Sequence, residues 1–593
     1  MTAYPNTTTN PPALVPVLSY HLSMAEPHTH YFEVEMRIEN LDEQRDSLEI
    51  HMPVWTPGSY MVREFSRKVE GLLATDGHNR PLTAQKNRKN SWVIATQKQQ
   101  TVHIHYRVYA FEFSVRTSFL DADHATINSA SVFMYLADQP QLPATLHIKP
   151  YKEWQKISTA LERVNEKDPW TLHVPNYDTL VDSPIEIGNH ETYDFEAAGL
   201  PHQLAIIGPG NHDASRMIED IKKIAQSQAD IFKEHPSKRY VVLQYNTDGI
   251  YGGLEHLNST ALTFSRWDFA AKYGRWQGLM SHEYFHLWNV KRIRPIVLGP
   301  FDYDNENYTH LLWVMEGVTS YYDDIVLRRA GLLGVDAYLG VAASNITDLE
   351  NKPGNAVQSV AEASWDAWIK YYRSDENSDN CTISYYTKGA VLSNLLDLEI
   401  LHLSKGQKEL DDVMRLLYEE YYKKQGRGFT DAEMQKALET VAGQSLQWFY
   451  DKHINGTEPI DYQRFFDYVG LQLQKNNASA VKPSLGIGTK TDNNKFIITK
   501  TIKGGSAYLS GLNVNDELLA INNYRVNTEA QIETILANYQ NGQTVNVLVS
   551  RSGIVRSIPV ELVGDKSATY KLVPIEKPTE EQSLLFKKWL RIP

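Results

Sequence analysis

Apolar and polar residues alternate along much of the first third of the chain. His30–Ile38 and Thr101–Tyr109 change character at nearly every step, the period of a half-buried strand. Turn signals such as Thr56-Pro57-Gly58-Ser59 recur between such runs. The stretch from about Leu14 to His190 therefore predicts an all-β domain, sandwich or barrel-like.

After about Pro201 the pattern shifts. Short strands at Gln203–Ile207 and Arg239–Tyr245 bracket an amphipathic helix from Asp213 to Glu234, with Asp213 as its N-cap. The loop Gly249–Gly253 follows, and a second helix spans about Asp268 to Val290. It must end before Pro295, whose ring cannot sit in a helix interior. From Tyr308 to about Tyr450 the period is helical almost throughout. Its clearest segment is Gly389–Leu403, where Val391, Leu392, Leu395, Leu396, Leu398 and Leu401 form a stripe. Polar residues Lys475–Ser479 mark a boundary. Between Pro483 and about Val563 a small unit combines strands at Phe496–Thr499 and Thr544–Val549 with a helix at Glu529–Asn538.

Composition changes this picture little. At 593 residues the chain is too long for one core, and 42% apolar with 22% charged residues is ordinary for a globular protein. A net charge of −13 argues against a nucleic-acid partner. The 12 Trp and 34 Tyr are scattered, as packing residues would be. The single cysteine, Cys381, excludes an intrachain disulfide and a thiolate zinc cluster, and suits a reducing compartment. Met1–Pro12 lacks the basic start and apolar core of a secretory signal, and no run is long enough for a membrane span. A cytoplasmic location is the expectation; the pattern sets no oligomeric state.

The chemistry is concentrated in Ser281–Asn289. His282 and His286 are four residues apart, so on a helix both imidazoles project from one face and can chelate one cation. Glu283 lies beside that face, where a carboxylate can take a proton from water held at the cation. A catalytic zinc needs a third protein ligand, with the fourth position kept for water. Glu316, thirty residues after His286 between Met315 and Gly317, is the candidate; a second helix folding back antiparallel would bring it there.

His282-Glu283-Tyr284-Phe285-His286 followed by Glu316-Gly317 resembles the gluzincin metallopeptidases, the thermolysin-like group that includes aminopeptidase N. The wider wording is similar to the glycyl aminopeptidase family, through Trp55–Tyr60, Gly252–His256, the histidine helix through Arg294-Pro295, and Met315–Gly317. That resemblance implies a multidomain α+β chain. Its parts would be an N-terminal β-rich domain (1–200), a thermolysin-like α/β zinc catalytic domain (201–330), a helical domain (331–475), a PDZ domain (480–566) and a C-terminal tail (567–593). It further implies one zinc ion per chain, held by His282, His286 and Glu316.

Aminopeptidase relatives carry a Gly-x-Met-Glu-Asn loop whose glutamate binds the substrate's α-amine. Gly252, Gly253 and Glu255 match it, with His256 in place of Asn. Relatives also use the tyrosine of Tyr-x-Lys-Gly as oxyanion donor, which implies Tyr386, with Tyr385 as the neighbouring alternative. Asp323, two helical turns after Glu316, is a candidate partner for a metal-bound histidine; Asn289, Arg292 and Arg294 stay without a fixed role. Leu485–Gly488 stands where PDZ domains hold a chain terminus, so a C-terminal peptide is a possible ligand there.

The expectation is a zinc aminopeptidase acting on peptides with a free N-terminus. By resemblance it prefers Gly or Ala, with Glu283 as general base. Two alternatives are open: an endopeptidase with the same site, cutting blocked peptides equally well, and a non-catalytic PDZ adaptor with structural zinc.

Overall fold

The computed structural model describes residues 15–477, 482–565 and 567–592. The N-terminal stretch Met1–Pro12 and the last two residues of the Lys475–Ser479 boundary lie outside the described residues. The fold class is as expected: a β-rich N-terminal part, a mixed α/β part, a helical part and a PDZ domain. Of the described residues, those up to Gln226 together with Glu234–Leu287 and Pro300–Asn307 form one compact unit. Ser227–Lys233, Trp288–Gly299 and those from Tyr308 onward form the other.

In the first unit, strand alternation becomes an eight-stranded sheet. Its middle strands, in order, are Ala144–Lys149, Val17–Ser23, Tyr31–Glu39, Val102–Tyr109 and Val69–Asp76. One face buries Tyr20, Phe32, Val34, Met36, Ile104, Tyr106 and Leu146 in the core. The other carries the polar partners of the alternation. A second, five-stranded sheet runs in the order Glu191–Ala197, Leu200–Ile207, Tyr240–Thr247, Ser259–Ser265, Gly252–Glu255. Its three middle strands are parallel, and Tyr240–Thr247 is buried at every residue, as a central strand covered on both faces requires. Gly252–Glu255 forms its antiparallel edge.

In the second unit, helices Thr319–Arg329, Val335–Glu350 and Tyr385–Leu403 pack around the last of these, which is buried along nearly its whole length. It begins at Tyr385, four residues before the predicted start. Ser384 caps it, its Oγ accepting from the Thr387 amide. Lys475–Asn477, the described part of the expected boundary Lys475–Ser479, continues a strand, Leu471–Asn477, paired with Ala568–Pro574. The stretch expected as a tail thus returns as a strand and then as helix Glu580–Trp589. Trp589 is buried and donates from Nε1 to the Tyr321 hydroxyl at 3.1 Å.

The PDZ domain has its own apolar core, and Ile487–Asp492 is the terminal strand of its sheet. Asn380 and Asp379 hold it to the helices. Asn380 donates to the Thr501 carbonyl and accepts from the Lys503 amide, both at 2.8 Å; Asp379 pairs with Lys500 at 2.9 Å. Among the described residues no helix is long and apolar enough to cross a membrane.

Candidate active site

The histidine helix spans Tyr273–Phe285, shorter than the predicted Asp268–Val290, and His286 is its C-cap residue. The rings of His282 and His286 are 4.7 Å apart and nearly perpendicular, as two ligands one turn apart on one face can be. The opposite face is pinned. Trp276 Nε1 donates to Gln244 Oε1 at 2.8 Å, and Gln277 Nε2 to Asp220 Oδ2 at 2.9 Å. Tyr284, fully buried, meets Nε2 of His202 at 2.7 Å and of His235 at 2.8 Å. Burial lowers His202 to about 4, so it is neutral at neutral pH. Its Nδ1 faces the Leu200 carbonyl at 3.0 Å and carries the proton; Nε2 then accepts from the tyrosine hydroxyl.

The edge strand Gly252–Glu255 runs beside this helix and depends on close approaches. A Cβ on Gly253 would lie 2.2 Å from Glu283 Oε1. Gly58, in the Trp55–Tyr60 loop, has φ +85°, and a Cβ there would lie 2.6 Å from both Glu255 oxygens. Both glycines are therefore required by packing, and Gly58 also by its left-handed backbone. Glu255 is 3% exposed and its Oε1 has no hydrogen-bond partner among the described residues. Glu255, Glu283 and His286 each offer a ligand atom within 4.8 Å of the others. The strand's carbonyls are held from behind, Gly252 by Thr263 Oγ1 at 3.0 Å and Leu254 by Thr260 Oγ1 at 3.1 Å. His256, the departure from the aminopeptidase loop, turns aside to Asp182 at 3.1 Å.

In the second unit, Glu316 sits in a π turn, Trp313–Val318, and is 2% exposed. Such turns widen a helix by one residue and often carry functional side chains. Asn289 fixes this one: its Nδ2 donates to the Val314 and Met315 carbonyls at 2.9 and 3.2 Å, next to Glu316. Gly317 meets Gly389 of the Tyr385–Leu403 helix so closely that a Cβ on Gly317 would be 2.4 Å from the Gly389 Cα. That contact explains why a glycine follows both Glu316 and Lys388. Burial, and then the Glu316 carboxylate, push the Tyr386 phenol well above its ordinary pKa, so it remains a donor. Tyr386 stacks on Tyr385 and Tyr371 at 4.8 and 5.5 Å. Lys388 is buried against Asn355, and burial lowers its amine to about 8.

Sequence reasoning left Asn289 without a role and gave none to Gly58 individually. Nothing local signals Gly58, because its reason to be glycine is Glu255, nearly two hundred positions away. Arg116 was also missed: its Nη2 donates to the Gly253 carbonyl at 3.4 Å. Arg294 lies against Gly299, where a Cβ would be 2.1 Å from its Cζ, a packing role.

A histidine pair one helical turn apart with a glutamate beside it, flanked by the edge strand of a mixed sheet, defines a metallopeptidase of the aminopeptidase class. The profile of the peptidase M61 N-terminal domain matches residues 19–189, that of the M61 glycyl aminopeptidase 275–392, and a PDZ profile 483–562. An aminopeptidase N family protein from Idiomarina loihiensis is 30% identical, with TM-score 0.89, over 97% of this chain and 100% of that one. The chain belongs to the M61 glycyl aminopeptidase family and is a metallo-aminopeptidase. Looser likenesses are yeast LTA4 hydrolase in complex with bestatin (15% identity, TM-score 0.46, 77% and 72% of the two chains) and an M1 zinc metallopeptidase from Deinococcus radiodurans (12%, 0.47, 75% and 95%). No curated protein matches.

Proposed function

We propose that this chain is a zinc aminopeptidase that removes a small N-terminal residue, glycine or alanine, from peptides with a free α-amine. The observation that carries the free-amine requirement is Glu255. A carboxylate oxygen buried without a partner is costly unless a cation completes it, and an ammonium does so. Its closeness to Glu283 and His286, with one ligand atom of each within 4.8 Å of the others, supports that role.

His282, His286 and Glu316 would hold one zinc ion. Two imidazoles and a carboxylate are the donors of catalytic zinc sites. The bound metal supplies Lewis acidity to a water and to the scissile carbonyl. Glu283 takes the water's proton and returns it to the leaving amine. Tyr386, kept protonated, donates to the oxyanion. Gly252 and Gly253 let the substrate backbone approach the edge strand. The preference for glycine or alanine rests on the family alone. The PDZ domain would take a C-terminal peptide by strand addition to Ile487–Asp492.

A panel of aminoacyl amides, free and N-acetylated, assayed with and without a chelator, tests this. Cleavage should be confined to free amines, fastest for Gly and Ala, and lost with the chelator. Equal cleavage of acetylated substrates would replace the reading by an endopeptidase.

A further inference from the structure

The outer face of the eight-stranded sheet gathers imidazoles from separate strands. In register, His21 lies opposite Glu35 and beside His147; Glu35 lies opposite His105, and Arg37 opposite His103. His103 and His105 are two residues apart on one strand, so both point to the same face.

The distances are informative. His103 Nδ1 is 3.5 Å and His105 Nε2 3.4 Å from the same Glu35 oxygen, Oε1. Both exceed the usual range for an N–H···O hydrogen bond, about 2.7–3.2 Å. A tetrahedral ion with bonds of about 2.0–2.1 Å sets its ligand atoms about 3.3–3.4 Å apart. The three ligand atoms all lie within 4.8 Å of one another. The other carboxylate oxygen, Oε2, accepts from Arg37 Nη2 at 2.7 Å, which fixes the carboxylate and leaves Oε1 directed at the histidines. Glu35 and His103 side chains are 16% and 17% exposed and His105 47%, so the cluster is walled on one side and open to solvent on the other.

We propose that Glu35, His103 and His105 form a second divalent-cation site, outside the catalytic centre. Two nitrogens and one oxygen select a borderline metal such as Zn²⁺, Ni²⁺ or Cu²⁺ over Mg²⁺ or Ca²⁺, and water fills the remaining position. The Arg37 charge nearby makes it the weaker of the two sites.

The test titrates the metal-stripped full chain with Zn²⁺ by calorimetry and counts bound zinc by elemental analysis, alongside the double variant H103A/H105A. The double variant should lose one equivalent of zinc yet hydrolyse free-amine substrates at the parent rate. His286→Ala should lose the other equivalent and keep the sheet site. Because a double change within a strand can unfold the sheet, His105→Asn at the half-exposed position is run beside it; it should weaken uptake at the sheet site about tenfold or more with an unchanged circular dichroism spectrum. Zinc uptake identical to the parent in both sheet variants would reduce the cluster to ion pairs and overturn the assignment.

Discussion

Gly253 and Glu283 are packed so closely that a single added carbon between them would lie 2.2 Å from the carboxylate. The edge strand and the histidine helix are thus held at a separation only glycine allows, and the position of the proposed base is set by a residue with no side chain. Gly253→Ala should displace the Glu283 carboxylate. A misplacement of about 1 Å costs on the order of 10²-fold in rate, so kcat should fall by about that factor. Thermal unfolding should move by a few degrees at most. Unchanged kcat would mean the strand yields freely.

Glu283→Gln keeps the volume and removes the base. Loss of general-base catalysis is worth about 10²–10⁴-fold, and kcat on a glycyl amide should drop by that much with zinc content preserved. Turnover at the parent rate would assign the base elsewhere.

Glu255→Gln removes the charge from the α-amine anchor. A hydrogen bond to a charged group contributes about 1.5–3 kcal/mol, so kcat/KM for free-amine substrates should fall about 10- to 100-fold. The ratio of free to acetylated substrate should fall with it, which a merely structural role for Glu255 would not produce.

Gly317→Ala forces a Cβ to 2.4 Å from the Gly389 backbone, where neither helix has a flexible side chain to move. Overpacking of this kind costs about 1–3 kcal/mol, readable by denaturant unfolding. The same shift should disturb Glu316 on the preceding position and lower zinc affinity.

Stability should depend on pH through Asp397. Burial, then the Glu409 carboxylate, raise it to about 7, against opposing contributions from Arg329 and hydrogen bonds from Tyr321 and the Leu410 amide. A raised folded pKa means the folded state binds more protons between about pH 4 and 7, so this group's stabilisation is full at low pH and lost as pH rises through that window. Asp397→Asn should flatten the fall, measured by denaturant unfolding at pH 5 and pH 8. An unchanged slope would place the effect on another group.

Much of the fold follows from local pattern. Strand alternation in Tyr31–Ile38 and Val102–Tyr109 gives the half-buried sheet because the two faces of a strand differ by a period of two. The four-residue spacing of His282 and His286 puts both rings on one helix face without reference to anything distant. Where prediction missed, the deciding partner was remote. The polar stretch Lys475–Ser479 reads as a boundary, and its described part, Lys475–Asn477, forms a strand because Ala568–Pro574 supplies its hydrogen bonds. The Tyr385–Leu403 helix starts earlier than its apolar stripe, because Ser384 satisfies its first amides.

By itself the sequence determined the kinds of element, the helix that presents two imidazoles, and the donor types available to a metal, since each depends on neighbours within a few residues. Only the tertiary structure decided that Gly58 must be glycine for Glu255, that Asn289 grips the turn bearing Glu316, and that Glu35 meets His103 and His105. Those relations depend on strand register and on how closely backbones approach. Both are set by packing between segments far apart in the chain, and local periodicity carries no record of them.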